Sequence, residues 1–145
     1  MQLFTLGFAK KPARQFFALL QRHGIRRVID IRANNRGQLA GFTKRDDLEF
    51  FLHALGKRDY AHHLELAPTQ DMLRRYRAKE LDWKGYEGEF KKLMAQRGSL
   101  RHFDMKALGE TSVLLCSEPT PEHCHRRLVA EGLKKLHPKL VVTHI

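Results

Sequence analysis

Acidic residues are scarce in this chain. Against 27 Lys and Arg stand only 16 Asp and Glu, giving a formal net charge of +11 with neutral histidines and a pI near 10.1. A field of that sign attracts polyanions and steers them to the surface, so a nucleic acid or a phosphorylated ligand is the expected partner. Cysteine is scarcer still. Two cysteines are too few for a disulfide framework, and a thiol pair of this kind points to reduced, catalytic or metal-binding chemistry. Long apolar runs are missing as well: the hydrophobic fraction is an ordinary 42%, and every run is too short to span a bilayer. The first residues lack the charged-then-apolar pattern of a secretory leader, so the expected location is the cytoplasm, away from the membrane. The 145 residues are expected to form one domain, 1–145, with room for a core. Oligomeric state is left open.

Both cysteines fall within residues 112–126, S-V-L-L-C-S-E-P-T-P-E-H-C-H-R. Val113, Leu114 and Leu115 read as a short buried strand, which Ser117, Pro119, Thr120 and Pro121 break. A helical pattern then starts near residue 122 or 123, with Leu128, Val129, Leu133 and Leu136 spaced for one apolar face. This order places Cys116 at the carboxyl end of a strand and Cys124, His125 and Arg126 in the first turn of a helix. Ligands of open α/β sheets bind at that position, and a helix amino terminus favours an anion.

The rest of the chain alternates in the same way. Residues 2–6 form a strand closed by Gly7; Pro12 leads into a helix with a Phe16, Phe17, Leu19, Leu20 face, ended by His23-Gly24. Residues 28–31 read as a second buried strand, and strand–helix–strand at this length predicts a parallel βαβ unit. Residues 32–42 form a polar loop, long enough to suggest function, although Asn and Gly also suit a merely solvated turn. A helix over 44–55 follows, with Leu48, Phe51, Leu52 and Leu55 inward and Gly56 as its stop. Residues 58–66 are a weaker strand. Its His62 and His63 point to opposite faces and so cannot both serve one ion. Helices over 69–78 and 83–97 come next; Trp83, Tyr86 and Phe90 share the spacing of a buried face. Residues 99–110 are irregular, and 140–143 form the last strand. The fold class is α/β, with a mostly parallel central sheet flanked by helices.

Four segments together resemble the domain-of-unknown-function 488 family. They are Leu115-Cys116-x-Glu118 followed after five residues by Cys124-His125-Arg126, then Thr5-Leu6-Gly7, Asp30-Ile31-Arg32 and Val142-Thr143-His144-Ile145. The resemblance implies a Rossmann-like α/β domain and brings no assigned activity. The chain departs from the family pattern where Asn34, Asn35, Arg36 and Gln38 replace proline and serine, and where Ala9 replaces a serine near the start.

If the strands are parallel, Gly7, Asp30 to Arg32, Cys116 to Glu118 and His144 gather along one sheet edge, an active-site layout. Three chemistries fit these residues. In the first, Cys116 is an activated thiol beside a helix amino terminus and Cys124 resolves its oxidised form; the alternative is an inert buried cysteine. In the second, Cys116, Cys124 and His125, with His144 or His123, hold zinc. That spacing lacks the paired C-x2-C pattern, and adjacent Cys124 and His125 diverge by about 100° around a helix, so no metal or cofactor is expected. In the third, Asp30 and Glu118 act as acid and base while Arg32 and Arg126 hold phosphate; a structural arginine–carboxylate network needs the same residues. The sequence reading is therefore an enzyme acting on a nucleic acid or nucleotide. Its catalytic groups are Cys116, Glu118 and Asp30, its ligand groups Arg32, Cys124, His125, Arg126 and His144. Arg74, Arg75 and Arg77 form a phosphate-contact run. A non-enzymatic nucleic-acid binder and a thiol redox switch are the alternatives.

Overall fold

The computed structural model describes residues 1–37 and 41–145, so the middle of the predicted 32–42 loop lies outside the described residues. The elements alternate as β1 (Gln2–Gly7), α1 (Ala13–Arg22), β2 (Arg27–Asp30), α2 (Arg45–Gly56), β3 (Asp59–His62), α3 (Gln70–Arg77), α4 (Trp83–Arg97), β4 (Thr111–Cys116), α5 (His125–Leu136) and β5 (Val141–His144). The strands form one all-parallel sheet in the order β3-β2-β4-β1-β5. This is a Rossmann-like α/β architecture.

Strand alternation sorts the side chains into two layers. Phe4, Leu6, Val28, Val113 and Leu115 face α1 and α2, packing on Phe16, Leu20, Leu48 and Leu52. Leu3, Ile29 and Leu114 face the other way, onto Met72, Tyr86, Phe90, Leu128 and Leu133 of α3, α4 and α5. Burial on both faces is why these strands read as continuous apolar runs. No helix among the described residues is long and apolar enough to cross a membrane.

The expected βαβ unit is parallel, but β4 lies between β1 and β2. Local patterning marks strands without ranking their neighbours. The consequence is functional: the connection leaving β1 runs over one face toward β2, whereas that leaving β4 runs over the other face toward β5. Adjacent strands whose connections depart to opposite sides make a topological switch point, where open α/β sheets place their ligands.

Several boundaries differ from the sequence reading. The third strand stops at His62 because its partner β2 stops at Asp30, and the chain turns into a 3₁₀ segment at Leu64–Leu66. Helix α2 includes Gly56; the residue that ends it is Lys57, in the left-handed region at φ 49°. Gly56 instead makes room for the Arg58 guanidinium. Leu55, expected inward, is 61% exposed. Helix α5 begins only at His125, since a turn closed by Cys124 N–H to Pro121 O (3.3 Å) holds Cys124 in extended geometry. Cys124 is thus the N-cap rather than a first-turn residue. The last strand runs one residue later than expected and includes His144.

Candidate functional site

The switch point is built on paired strand ends. Gly7 of β1 and Cys116 of β4 are register partners. The pairing continues past both strands, with Phe8 N–H donating to Cys116 O (3.2 Å) and Ala9 N–H to Ser117 O (2.9 Å). The chain then passes over Gly7 so closely that a β-carbon there would meet the Glu118 carbonyl oxygen and the Arg126 guanidinium. Glycine is required at this position by close approach.

Arg126, in the first turn of α5, fills the crevice with no exposed surface. Its Nη1 donates to Cys116 Sγ (3.1 Å) and Glu118 O (2.5 Å), and its Nη2 reaches Pro119 O at 3.5 Å. Cys116 Sγ lies 2.7 Å from Cys124 Sγ, and Cys124 Sγ caps the helix by accepting from Arg126 N (3.5 Å). Both sulfurs are buried. Among the described residues no carboxylate pairs with Arg126. The Cys116 sulfur is therefore the side-chain acceptor that this buried cation meets most closely. Burial alone would push the Cys116 thiol up; the Cys124 hydrogen bond and the Arg126 charge overcome it and hold the thiol below its ordinary range. Cys124 moves the other way, pushed up by burial and by the neighbouring Cys116. Cys116 is thus the more acidic thiol of the pair, and its sulfur lies against both Cys124 and the Arg126 guanidinium. Lys11 donates to Gly7 O (2.8 Å) at the same mouth, its ammonium lowered by burial and then by Arg126.

Asp30, at the end of β2, belongs to a separate network. It is fully buried and accepts from Arg32 N (3.1 Å), Arg32 Nε (2.8 Å), Arg32 Nη2 (2.7 Å) and Tyr60 OH (2.6 Å). Arg32 also donates to Thr43 O (2.8 Å) and lies over the Phe8 ring at 5.2 Å. Tyr60 is pushed up by burial and then by Asp30, so it remains the donor. With every site engaged, Asp30 locks the turn after β2.

His125 secures that turn from the other side, donating Nε2–H to Ile31 O (2.7 Å) beside Phe90. Burial pushes its pKa down to about 4, so the ring is neutral and its proton sits on Nε2. Because the folded value lies below the unfolded one of about 6.5, the unfolded state binds the extra proton first, and stability falls as pH drops from about 6.5 to 4, by roughly 3 kcal/mol. His125→Gln, which keeps an amide donor, is expected to remove most of that acid slope in urea unfolding measured across the window. An unchanged slope would place the acid sensitivity elsewhere.

The remaining sequence candidates do not join these sulfurs. The Glu118 side chain is exposed and only its carbonyl is used by Arg126. His144 meets Thr5 Oγ1 through Nδ1 (2.6 Å), and His123 stacks on the half-buried Trp83 at 5.1 Å. Among the described residues, no three His, Cys, Asp or Glu side chains are grouped to hold a metal ion. Arg74 pairs with Asp71 (3.0 Å) and Glu80 (3.5 Å), and Arg75 with Asp71 (2.8 Å) and Glu89 (2.5 Å). Two of the three arginines in the predicted phosphate-contact run are thus engaged by carboxylates. Among the described residues, surface concavities of about 570 to 830 Å³ lie elsewhere and are lined by neither cysteine. Tyr60, Phe8 and Thr43 went unpredicted because their roles depend on inter-strand neighbours; the glycine of Thr5-Leu6-Gly7 was the one local signal of a close approach.

Residues 12–133 match the family described as domain of unknown function DUF488. The chain belongs to that family. The DUF488 match takes in Asp30, Arg32, Cys116 and Cys124 to Arg126, while Gly7 and His144, on β1 and β5, fall outside it. No curated protein and no solved structure matches the chain.

Proposed function

We propose that this DUF488 protein is a thiol redox protein whose Cys116 and Cys124 cycle between a thiolate–thiol pair and a disulfide. The observation that carries this reading is the contact of Cys116 with a fully buried Arg126 that has no carboxylate partner among the described residues. An uncompensated buried guanidinium costs several kcal/mol, and a thiolate removes that cost. The thiolate is also the reactive form of cysteine, and the Cys124 sulfur stands 2.7 Å away to close the bond. Oxidation withdraws two electrons from the pair and releases the Cys124 proton. It also leaves Arg126 without its counter-ion and with the Glu118 and Pro119 carbonyls as its remaining acceptors, which couples redox state to the 117–123 segment. A reduced form stabilised by its own ion pair makes an oxidising couple.

The test is equilibration in mixtures of reduced and oxidised glutathione, whose poise spans that of an oxidising couple, followed by acid quench and peptide mapping by mass spectrometry. Prolonged equilibration lets local opening admit the reagent. A reversible transition with a Cys116–Cys124 cross-link is expected. Two free thiols in excess oxidised reagent would overturn the proposal.

The net charge of +11 supports a second reading, an enzyme for a nucleic acid or nucleotide using the same strand-end residues. The engagement of Asp30 by Arg32 and Tyr60 weighs against its acid–base form. This reading expects oligonucleotide binding that weakens steeply with salt; absence of binding at low salt would exclude it for nucleic acid.

A further inference from the structure

Far from the sulfurs, β3 forms one edge of the sheet, and a sheet edge carries backbone groups that another strand can pair with. Asp59 N–H donates to Arg26 O (2.9 Å) and His63 N–H to Asp30 O (2.9 Å). By strand alternation Ala61 also turns its N–H and C=O toward β2, whereas Tyr60 and His62 turn theirs away from it. Among the described residues nothing bonds to these outward backbone groups. A concavity of about 830 Å³ runs beside them. One side of it is a stripe of α2, Asp46, Glu49, Phe50 and His53, spaced for a single helix face. Phe50 is 67% exposed, so an apolar ring stands in the middle of that stripe.

We propose that a second copy of this chain seats on this edge about a two-fold axis, joining two sheets into one through antiparallel β3 pairing.

Register favours a copy of the chain itself. Antiparallel strands bond where both residues of a pair turn their N–H and C=O toward each other. Setting Tyr60 against His62 of the copy uses every outward group of both strands and puts Ala61 on the axis. The next register one way opposes His62 with Arg58, whose N–H is already taken by Leu52 O (3.1 Å). The next register the other way opposes Tyr60 with Leu64, where the chain has turned into its 3₁₀ segment. The favoured register also sets the Asp59 carboxylate opposite the His63 imidazole of the copy.

Helix α2 obeys the same axis. It runs back along β3, which lies parallel to β2. Ala61 is about 10 Å past Arg58 along the strand and Phe50 about 9 Å back from Gly56 along the helix, so the two stand level. An axis through Ala61 therefore brings Phe50 to Phe50 of the copy and Asp46 toward its His53.

Charge points the same way. Three carboxylates, Asp46, Glu49 and Asp59, line the concavity against two arginines, Arg27 and Arg58, in a chain with 27 basic and 16 acidic residues. Two copies carrying +11 each repel over most of their surface, and this locally balanced edge is where they meet without that penalty.

Sedimentation equilibrium of the full chain, over about 1 μM to 1 mM, tests this. A monomer–dimer equilibrium is expected, with hydrogen exchange at the Tyr60 and His62 amides slowing as the dimer forms. Phe50→Asp, at an exposed position, places two carboxylates on the axis and is expected to weaken dimerisation about tenfold or more. Asp46→Arg and His53→Glu should each weaken it, and the double variant should recover most of the loss, because the pair forms again across the axis with its signs exchanged. Such recovery separates a contact across the axis from damage to the fold. A chain that stays monomeric at the highest concentration overturns the proposal. So does a dimer indifferent to Phe50→Asp and to the exchange of charges, or one whose Tyr60 and His62 amides exchange at the monomer's rate.

Discussion

Arg126→Met is expected to destabilise the protein by about 3–5 kcal/mol and to return Cys116 to a neutral thiol. Removing the guanidinium leaves the buried thiolate without its cation, so it protonates, and the Glu118 and Pro119 carbonyls lose their donor. The pH dependence follows from the direction of the Cys116 shift. Its folded value lies below the unfolded one of about 8.5, so its contribution is fully present above that pH and is lost as pH falls through the folded value. Cys124, shifted upward, contributes below about pH 8.5 and loses that contribution above it. The advantage of the parent chain over the Met variant should therefore shrink on acidification. Urea unfolding at several pH values measures both effects. A variant within about 1 kcal/mol of the parent at every pH would mean that Arg126 is not the counter-ion of a thiolate.

Gly7→Ala is expected to cost about 3 kcal/mol or more, a large effect for one methyl group. The added carbon falls on the Glu118 carbonyl oxygen and on Nη1 of Arg126. The backbone on one side is fixed by the β1–β4 ladder and the guanidinium on the other is fully buried, so neither can move aside cheaply. Whatever gives way also shifts Arg126 from Cys116, and the redox pair should change with the stability. A lower urea midpoint at constant slope is the expected signature. A midpoint matching the parent would show that the crossing over Gly7 is looser than described.

The architecture was largely legible because its signals are local. Apolar runs, Pro12, the residues near Gly24 and the Trp83–Arg97 periodicity place strands and helices without reference to partners, and alternation of the two implies a parallel sheet. Strand order was not legible: nothing local in 111–116 says that this segment enters between β1 and β2, although that insertion creates the switch point. The cysteine-bearing segment was recognisable as a site from its composition. How its members divide was not. Asp30 and Arg32 read equally well as acid–base groups or as a lock, and Tyr60, thirty residues away, adds a second donor to the Asp30 Oδ2 that Arg32 already holds. The arginines of α3 looked like a phosphate surface because their partners Glu80 and Glu89 lie beyond that helix in sequence. His144 reads as a strand-end residue, yet its register against Thr5 stops it short of Cys116.

A Cys116 thiolate in the folded protein would show itself in the ultraviolet thiolate absorbance of the native chain against pH, with Cys116→Ser as the reference. Because absorbance needs no reagent, burial of the sulfur does not interfere. The expected result is a step belonging to Cys116 centred well below the ordinary thiol value of about 8.5, absent from the serine variant and moved upward in Arg126→Met. Thiolate absorbance that rises only at or above about 8.5, equally in all three proteins, would contradict it and make the buried arginine and the two cysteines a structural plug.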